Sequence, residues 1–259
     1  MSILNASFYC FHPLENPSGA AESLRGTLPN SLKGTVILAK EGINGFLAGS
    51  PEDLRGGLKT LKEALQLPDL WAKESYSESV PFQKLCFKVK EEIVTFRVPD
   101  FSPEKSPAPY LQPEELAAWY EREEDFLILD TRNEFEVRLG TFAQAKSLKI
   151  DHFVDFPKAM AEAPADWKKK KIVTFCTGGI RCEKAAPYLR SQGFEAYQLE
   201  GGIIHYFEKM GGKNWQGECF VFDERIALNP ELQATGATLC SHCQGPNPQN
   251  SSTCMHCGR

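Results

Sequence analysis

Ile172-Val173-Thr174-Phe175-Cys176-Thr177-Gly178-Gly179-Ile180-Arg181-Cys182-Glu183-Lys184-Ala185-Ala186 reads as strand, tight loop and helix. A β-branched and aromatic run ends at Cys176, two glycines permit a sharp turn, and Glu183 to Arg190 has helical character. Backbone N–H groups curling around the sulfur form an anion-holding nest, and the helix N-terminus adds partial positive charge at the same point. Both lower a thiol pKa, which makes Cys176 a nucleophile at neutral pH or a carrier of an anionic group on sulfur. The competing reading is a buried free cysteine that merely ends a core strand. Gly178, Gly179 and Arg181 within one short loop have no packing use that would favour it.

Outward from this stretch the pattern is an alternation of helix and strand. Gln112 to Glu123 opens with proline and acids and predicts a helix, Phe126-Leu127-Ile128-Leu129-Asp130 is an apolar strand, and Glu195 to Leu199 is another. Apolar runs without alternation suit a parallel sheet covered on both faces, with ligands at the C-terminal edge of the strands. Asp130 and Cys176 both end strands at that edge. Glu200-Gly201-Gly202-Ile203 then predicts a glycine turn into a helix ending near Met210, and Glu218 to Asp223 predicts a further strand.

The N-terminal part has a different order. Ile3 to Phe11 reads as a strand, a helix is expected over about 20–28, and two short strands flank Lys40-Glu41-Gly42-Ile43-Asn44-Gly45. Ser50 and Pro51 start a helix to Leu67 with Leu54, Leu58, Leu61 and Leu65 at helical spacing, and Trp71–Ser79 and Leu85–Val98 are extended. The order β-α-β-β-α-β is that of a ferredoxin-like α+β domain. Four prolines in 99–110 predict a stiff extended linker. The expected organisation is 1–98 ferredoxin-like, 99–110 linker, 111–215 parallel α/β, and 216–259 a C-terminal extension.

That extension carries Cys240-Ser-His-Cys243 and Cys254-Met-His-Cys257, separated by ten residues rich in Pro, Asn, Gln and Ser. Two C-x2-C knuckles offer four thiolates to a tetrahedral zinc ion of structural type, with His242 and His256 either bystanders or replacements for a cysteine ligand. The alternative is a disordered tail with labile thiols. The nine cysteines are expected in a reducing compartment, since no signal peptide or membrane-length apolar run is seen, and a cytoplasmic location follows as the expectation.

Net charge is −5. Residues 1–99 hold 11 basic and 11 acidic side chains, 100–215 hold 16 and 19, and 216–259 hold 2 and 4, so no segment is basic overall. A nucleic-acid partner then needs a local patch, for which Lys168, Lys169, Lys170 and Lys171 with Lys184 and Arg181 are the dense candidate. The competing use of the lysine run is a solvated loop.

The six-residue C-x4-R loop from Cys176 to Arg181 resembles the active-site loop of rhodanese domains, one residue shorter than that of cysteine phosphatases. The wider sequence resembles the tRNA uridine hydroxylases. It does so at Leu38 to Gly45, Asp130 to Glu136, Gly140-Thr141-Phe142, Cys176 to Ala185, Leu199 to Ile203 and Gly217 to Asp223. The resemblance implies a rhodanese-like α/β domain and an oxygen-dependent hydroxylation at C5 of uridine 34 in the tRNA anticodon loop. Dioxygen is then a co-substrate, and Cys176 matches the essential cysteine. No haem, flavin or 2-His-1-carboxylate pattern is evident. Under this reading Arg181 neutralises charge in the loop, Asp130 and Arg132 brace it, and Cys182 either resolves an oxidised Cys176 or packs. Glu134 and Glu136 read as a helix start. Phe8, Tyr9, Phe11 and Phe46 either stack on anticodon bases or fill the core. Two alternatives stay open: a sulfurtransferase with a persulfide on Cys176, and a noncatalytic adaptor that binds partners through the zinc tail.

Overall fold

A computed structural model describes residues 2–99, 101, 103 and 107–259. The chain divides into two compact units, residues 1–95 and 96–259.

In the first unit, β1 (Ile3–Phe11) buries Leu4, Ala6 and Phe8 on one face, which fixes the parity of the whole sheet. Asn16 caps α1 (Pro17–Thr27) by accepting from Gly19 N–H, and Ser50 caps α2 (Pro51–Ala64) by accepting from Asp53 N–H. A proline begins each helix, where its missing N–H is harmless. Between them β2 (Lys33–Ala39) and β3 (Gly42–Gly49) form a hairpin turning at Lys40-Glu41, so Ile43 and Asn44 belong to the strand rather than to the turn. With β4 (Ala72–Ser77) and β5 (Leu85–Val89) the sheet order is β4-β1-β3-β2-β5. The first four strands have the antiparallel ferredoxin-like order, and β5 adds in parallel beside β2. The extended run expected to Val98 stops as a strand at Val89.

In the second unit the sheet is parallel, in the order β6-β11-β10-β7-β9. Its strands are β6 (Tyr110–Leu111), β7 (Phe126–Asp130), β9 (Lys146–Ser147), β10 (Lys171–Phe175) and β11 (Glu195–Leu199). Helices α3 (Pro113–Glu121), α4 (Glu134–Leu139), α5 (Phe156–Ala161), α6 (Cys182–Ser191) and α7 (Gly202–Met210) connect and cover it. α3 packs with α7, while α6 lies on β10 and β11. Apolar strands buried on both faces are the consequence expected of such a sheet.

The linker expected over 99–110 lies partly outside the described residues, at 100, 102 and 104–106. Its flanks are not free. Phe96 is buried against Phe153 (centroids 5.2 Å apart), Phe156 and Tyr188, and Gln198 donates from its backbone to Pro109 O and from its side chain to Ala108 O.

The strand expected over Glu218 to Asp223 shrinks to a two-residue pair. β12 (Trp215–Gly217) joins β8 (Gly140–Phe142), β13 (Cys219–Phe220) joins β14 (Ala227–Leu228), and β15 (Thr238–Leu239) joins β16 (Pro246–Asn247). Among the described residues no helix is long and apolar enough to cross a membrane.

Gly34 has φ +141°, and a Cβ there would meet Phe46 O at 2.0 Å. Gly34→Ala should therefore destabilise the first unit by about 3 kcal/mol. Gly56→Ala, with nothing within 4 Å, should stabilise α2 by about 0.5–1 kcal/mol. Hydrogen exchange of β2, β3 and α2 amides in graded urea checks both directions.

Candidate active site

Cys176 follows β10 directly and is wholly buried. The loop after it is seated on glycine. Gly201 and Gly202 have φ +65° and +68°, and a Cβ on Gly202 would lie 2.4 Å from Cys176 O and 2.7 Å from Gly179 N. Ile203 and Ile204 N–H donate to Cys176 O and Thr177 O at 3.0 and 3.1 Å. The Leu199 to Ile203 motif is thus the floor of the loop, and only glycine lets the two backbones approach so closely.

Gly179 N–H donates to Cys176 Sγ at 3.1 Å, and Gly179 itself has φ +97°. Arg181 is nine-tenths buried and makes a two-pronged ion pair with Glu136, at 2.5 Å to Oε2 and 2.8 Å to Oε1. The Glu136 side chain is fully buried and also accepts from Asn133 N–H at 3.1 Å. It therefore serves as both the acid of the α4 first turn and the anchor of the loop arginine. A local sequence pattern explains it completely as a helix start, which hid its second role. The signal available was an acid a few residues beyond a strand end at the ligand edge.

Burial pushes the Cys176 thiol up. A hydrogen bond from the Cys182 thiol, the charge of Arg181, and donors from the Arg181 backbone and side chain outweigh it, bringing Cys176 down to about 5. Burial and the adjacent Cys176 sulfur push Cys182 well up, so one thiolate and one thiol share the site. Burial pulls Arg181 down, but Glu136 and Cys176 more than offset it and hold the guanidinium charged. Thr177, Gly178 and Ile180 are half-buried and form the rim.

Asp130 and Arg132 brace the site from behind. Arg132 donates to Asp130 through its backbone and fork (2.6–3.0 Å) and to Gly140 O (2.6 Å), and Thr141 donates to Asp130 Oδ2. Both side chains are fully buried, and Thr131 N–H donates to Phe175 O. These contacts tie the ends of β7 and β10 together and do not reach the sulfur.

The basic patch is corrected by the fold. Lys184 is buried, at 2% exposure, because it sits on the inward side of α6, and Arg181 is committed to Glu136. Lys171 begins β10, so the run 168–171 lies at the opposite edge of the sheet from Cys176, roughly 17 Å along the strand. Lys170 pairs with Asp125 and Lys171 with Glu124, while Lys168 and Lys169 are exposed. Of the four N-terminal aromatics, Phe8 lies in the core at 1% exposure. Tyr9, Phe11 and Phe46 have the other parity and point away from it.

The four tail cysteines converge. The Sγ atoms of Cys240, Cys243, Cys254 and Cys257 all lie within 4.8 Å of one another, an arrangement able to bind a metal ion. The two knuckles repeat one geometry: His242 N–H donates to Cys240 Sγ and His256 N–H to Cys254 Sγ, each at 3.4 Å. His256 Nε2 is engaged with Pro246 O, and His242 faces Arg259, so neither ring turns to the cluster. β16 packs against α4, the helix that carries Glu136.

Cys182→Ala should raise the Cys176 pKa toward the ordinary thiol range, since it removes a hydrogen bond to the thiolate. Ultraviolet thiolate absorbance across pH, taken as the difference from Cys176→Ser, should show the wild-type midpoint near 5 and a higher one in the variant.

Residues 3–93 match the family described as UPF0176 acylphosphatase like domain, and residues 112–209 match the rhodanese-like domain. A Cupriavidus metallidurans protein named tRNA uridine(34) hydroxylase is 42% identical over 277 residues, covering 99% of this chain and 97% of its own. A Bordetella petrii protein of the same name is 46% identical over 243 residues, covering 91% and 96%. Among solved structures, the rhodanese-like domain protein from Staphylococcus aureus aligns with 24% identity and a TM-score of 0.33, over 38% of this chain and 90% of that one. Full-length identity at this level, carried through both domains, makes the chain a member of the tRNA uridine(34) hydroxylase family.

Proposed function

We propose that this chain hydroxylates C5 of the wobble uridine of tRNA, with Cys176 as the reacting thiolate and dioxygen as co-substrate. The observation that carries the reading is a buried Cys176 whose sulfur receives the Gly179 N–H in the loop closed by the Arg181–Glu136 pair, a setting that lowers the thiol pKa, in a chain of this family. The thiolate adds to C6 of the uracil ring, and the electron pair moves toward C5 and the C4 carbonyl oxygen. That charge makes C5 nucleophilic toward oxygen and is neutralised by Arg181, whose fork is already aligned by Glu136. After oxygen is transferred, C5 loses its hydrogen as a proton, the C–S bond breaks, and the C5=C6 bond and the thiolate return. The O–O bond breaks, one oxygen atom stays on C5 as hydroxyl and the other leaves as water, so each turnover also takes two electrons and two protons from an external thiol reductant, which leaves as its disulfide.

Cys176→Ser should abolish modification while leaving the fold unchanged. Nucleoside mass analysis of tRNA from cells lacking the protein, and from cells complemented with wild type or variant, reads the outcome. Heavy-oxygen gas should label the product in vitro. Sulfur on the base, or product formed without oxygen, would decide for a persulfide-carrying sulfurtransferase.

We further propose zinc as the metal of the tail. Four thiolates with backbone N–H donors to two of them suit a closed tetrahedral site, which folds a segment poor in apolar residues. Elemental analysis should find one zinc per chain. A chelator should release amide protection in 238–259 while the parallel sheet stays protected, and because β16 rests on α4 the loss should also reduce activity.

A further inference from the structure

We infer that Phe222 is a stacking platform for an anticodon base that flanks the target uridine; this rests on the function proposed above. Phe222 is half-exposed, at 50%, yet it belongs to the active site through the Arg181 guanidinium, which lies over its ring with Cζ 5.9 Å from the centroid. Arg181 is also the residue that ends the Cys176 loop, five positions after the sulfur, so the ring rests on a side chain of that loop.

An exposed apolar side chain alone would mean little. What distinguishes Phe222 is how firmly it is presented. Its ring meets Phe220 edge-on at 5.0 Å and 89°, and Phe220 meets Phe135 of α4 in the same way at 5.1 Å. The backbone behind it is a closed turn, with Val221 N–H donating to Ile226 O and Ile226 N–H to Asp223 O, both at 2.9 Å. Asp223 also receives the Arg225 backbone N–H and both prongs of its fork at 2.6–3.0 Å, and the two side chains are 2% and 10% exposed. Thr177 of the catalytic loop donates to Phe220 O at 3.3 Å, which registers this turn against the loop. Val221 and Phe220 point inward while Phe222 points out. A rigid aromatic face with a cation on one side is the chemistry that takes up single-stranded bases without reading their identity. With Arg181 of the Cys176 loop over the ring, the platform takes a base that neighbours the reacting uracil rather than the uracil itself.

The test measures affinity for an anticodon stem-loop in the Cys176→Ser background, where no reaction intervenes, and kcat/KM in the otherwise wild-type chain. Phe222→Leu, which keeps apolar cover over Arg181 but has no ring, should weaken binding and lower kcat/KM by about tenfold. Phe222→Trp should restore both. The Cys176 thiolate titration should be the same in all three proteins. Stem-loops lacking the base on one side or the other of the target uridine should reveal the stacked position: with that base absent, wild type and Phe222→Leu bind equally. Unchanged affinity of Phe222→Leu, or a loss accompanied by a displaced Cys176 titration, would overturn the proposal and leave Phe222 as packing for Arg181. A ring-dependent affinity in a chain that forms no hydroxylated uridine would instead uphold the platform and defeat the proposed reaction.

Discussion

The buried ion pair between Arg181 and Glu136 is the constraint on which the site depends. A guanidinium and a carboxylate removed from water are each costly, and losing either partner strands the other at about 3–5 kcal/mol. The pair therefore locks the Cys176 loop to α4, and α4 in turn carries the load of the C-terminal extension: Phe135 holds Phe220, and β16 lies against the helix. The loop, the helix, the Phe222 turn and the tail cysteines thus form one mechanical chain.

The same pair explains the electrostatics. Glu136 draws on the Arg181 fork, but the guanidinium remains near enough to the sulfur to favour the thiolate against complete burial. Glycine supplies the remaining condition. Gly202 lets the loop backbone settle onto the start of α7, and Gly179 presents its N–H to the sulfur from a left-handed conformation. A side chain at Gly202 would collide with the loop backbone, and one at Gly179 would be strained by its φ of +97°.

Charge is distributed against a simple picture of RNA binding. Net charge is −5, and the densest lysine run lies at the far edge of the parallel sheet with two of its members paired to acids. Near Cys176 the charge available is largely internal, balanced by Glu136, and the surface feature next to it is aromatic. The proposed recognition of an anticodon loop at this mouth therefore rests more on unstacked bases than on phosphate.

Local signals made much of this legible. Ser50 with Pro51, the apolar strands ending at Asp130 and Cys176, the paired glycines after Leu199 and the two cysteine knuckles are all contiguous, and short-range sterics and periodicity decide such features. The β-α-β-β-α-β order likewise specifies a ferredoxin-like unit, because crossover rules leave few ways to arrange it. Only the tertiary structure decided which separated residues meet. It brought Glu136 to Arg181 across 45 positions and Phe222 over that arginine. It turned Lys184 inward and sent Lys168–Lys171 to the wrong edge for the thiol. It ended β5 at Val89 and left Phe96 in the aromatic cluster of the second unit. The physical reason is common to all of these: helix phase, strand direction and sheet edge determine where a side chain points, and none of them is a property of its neighbours in sequence.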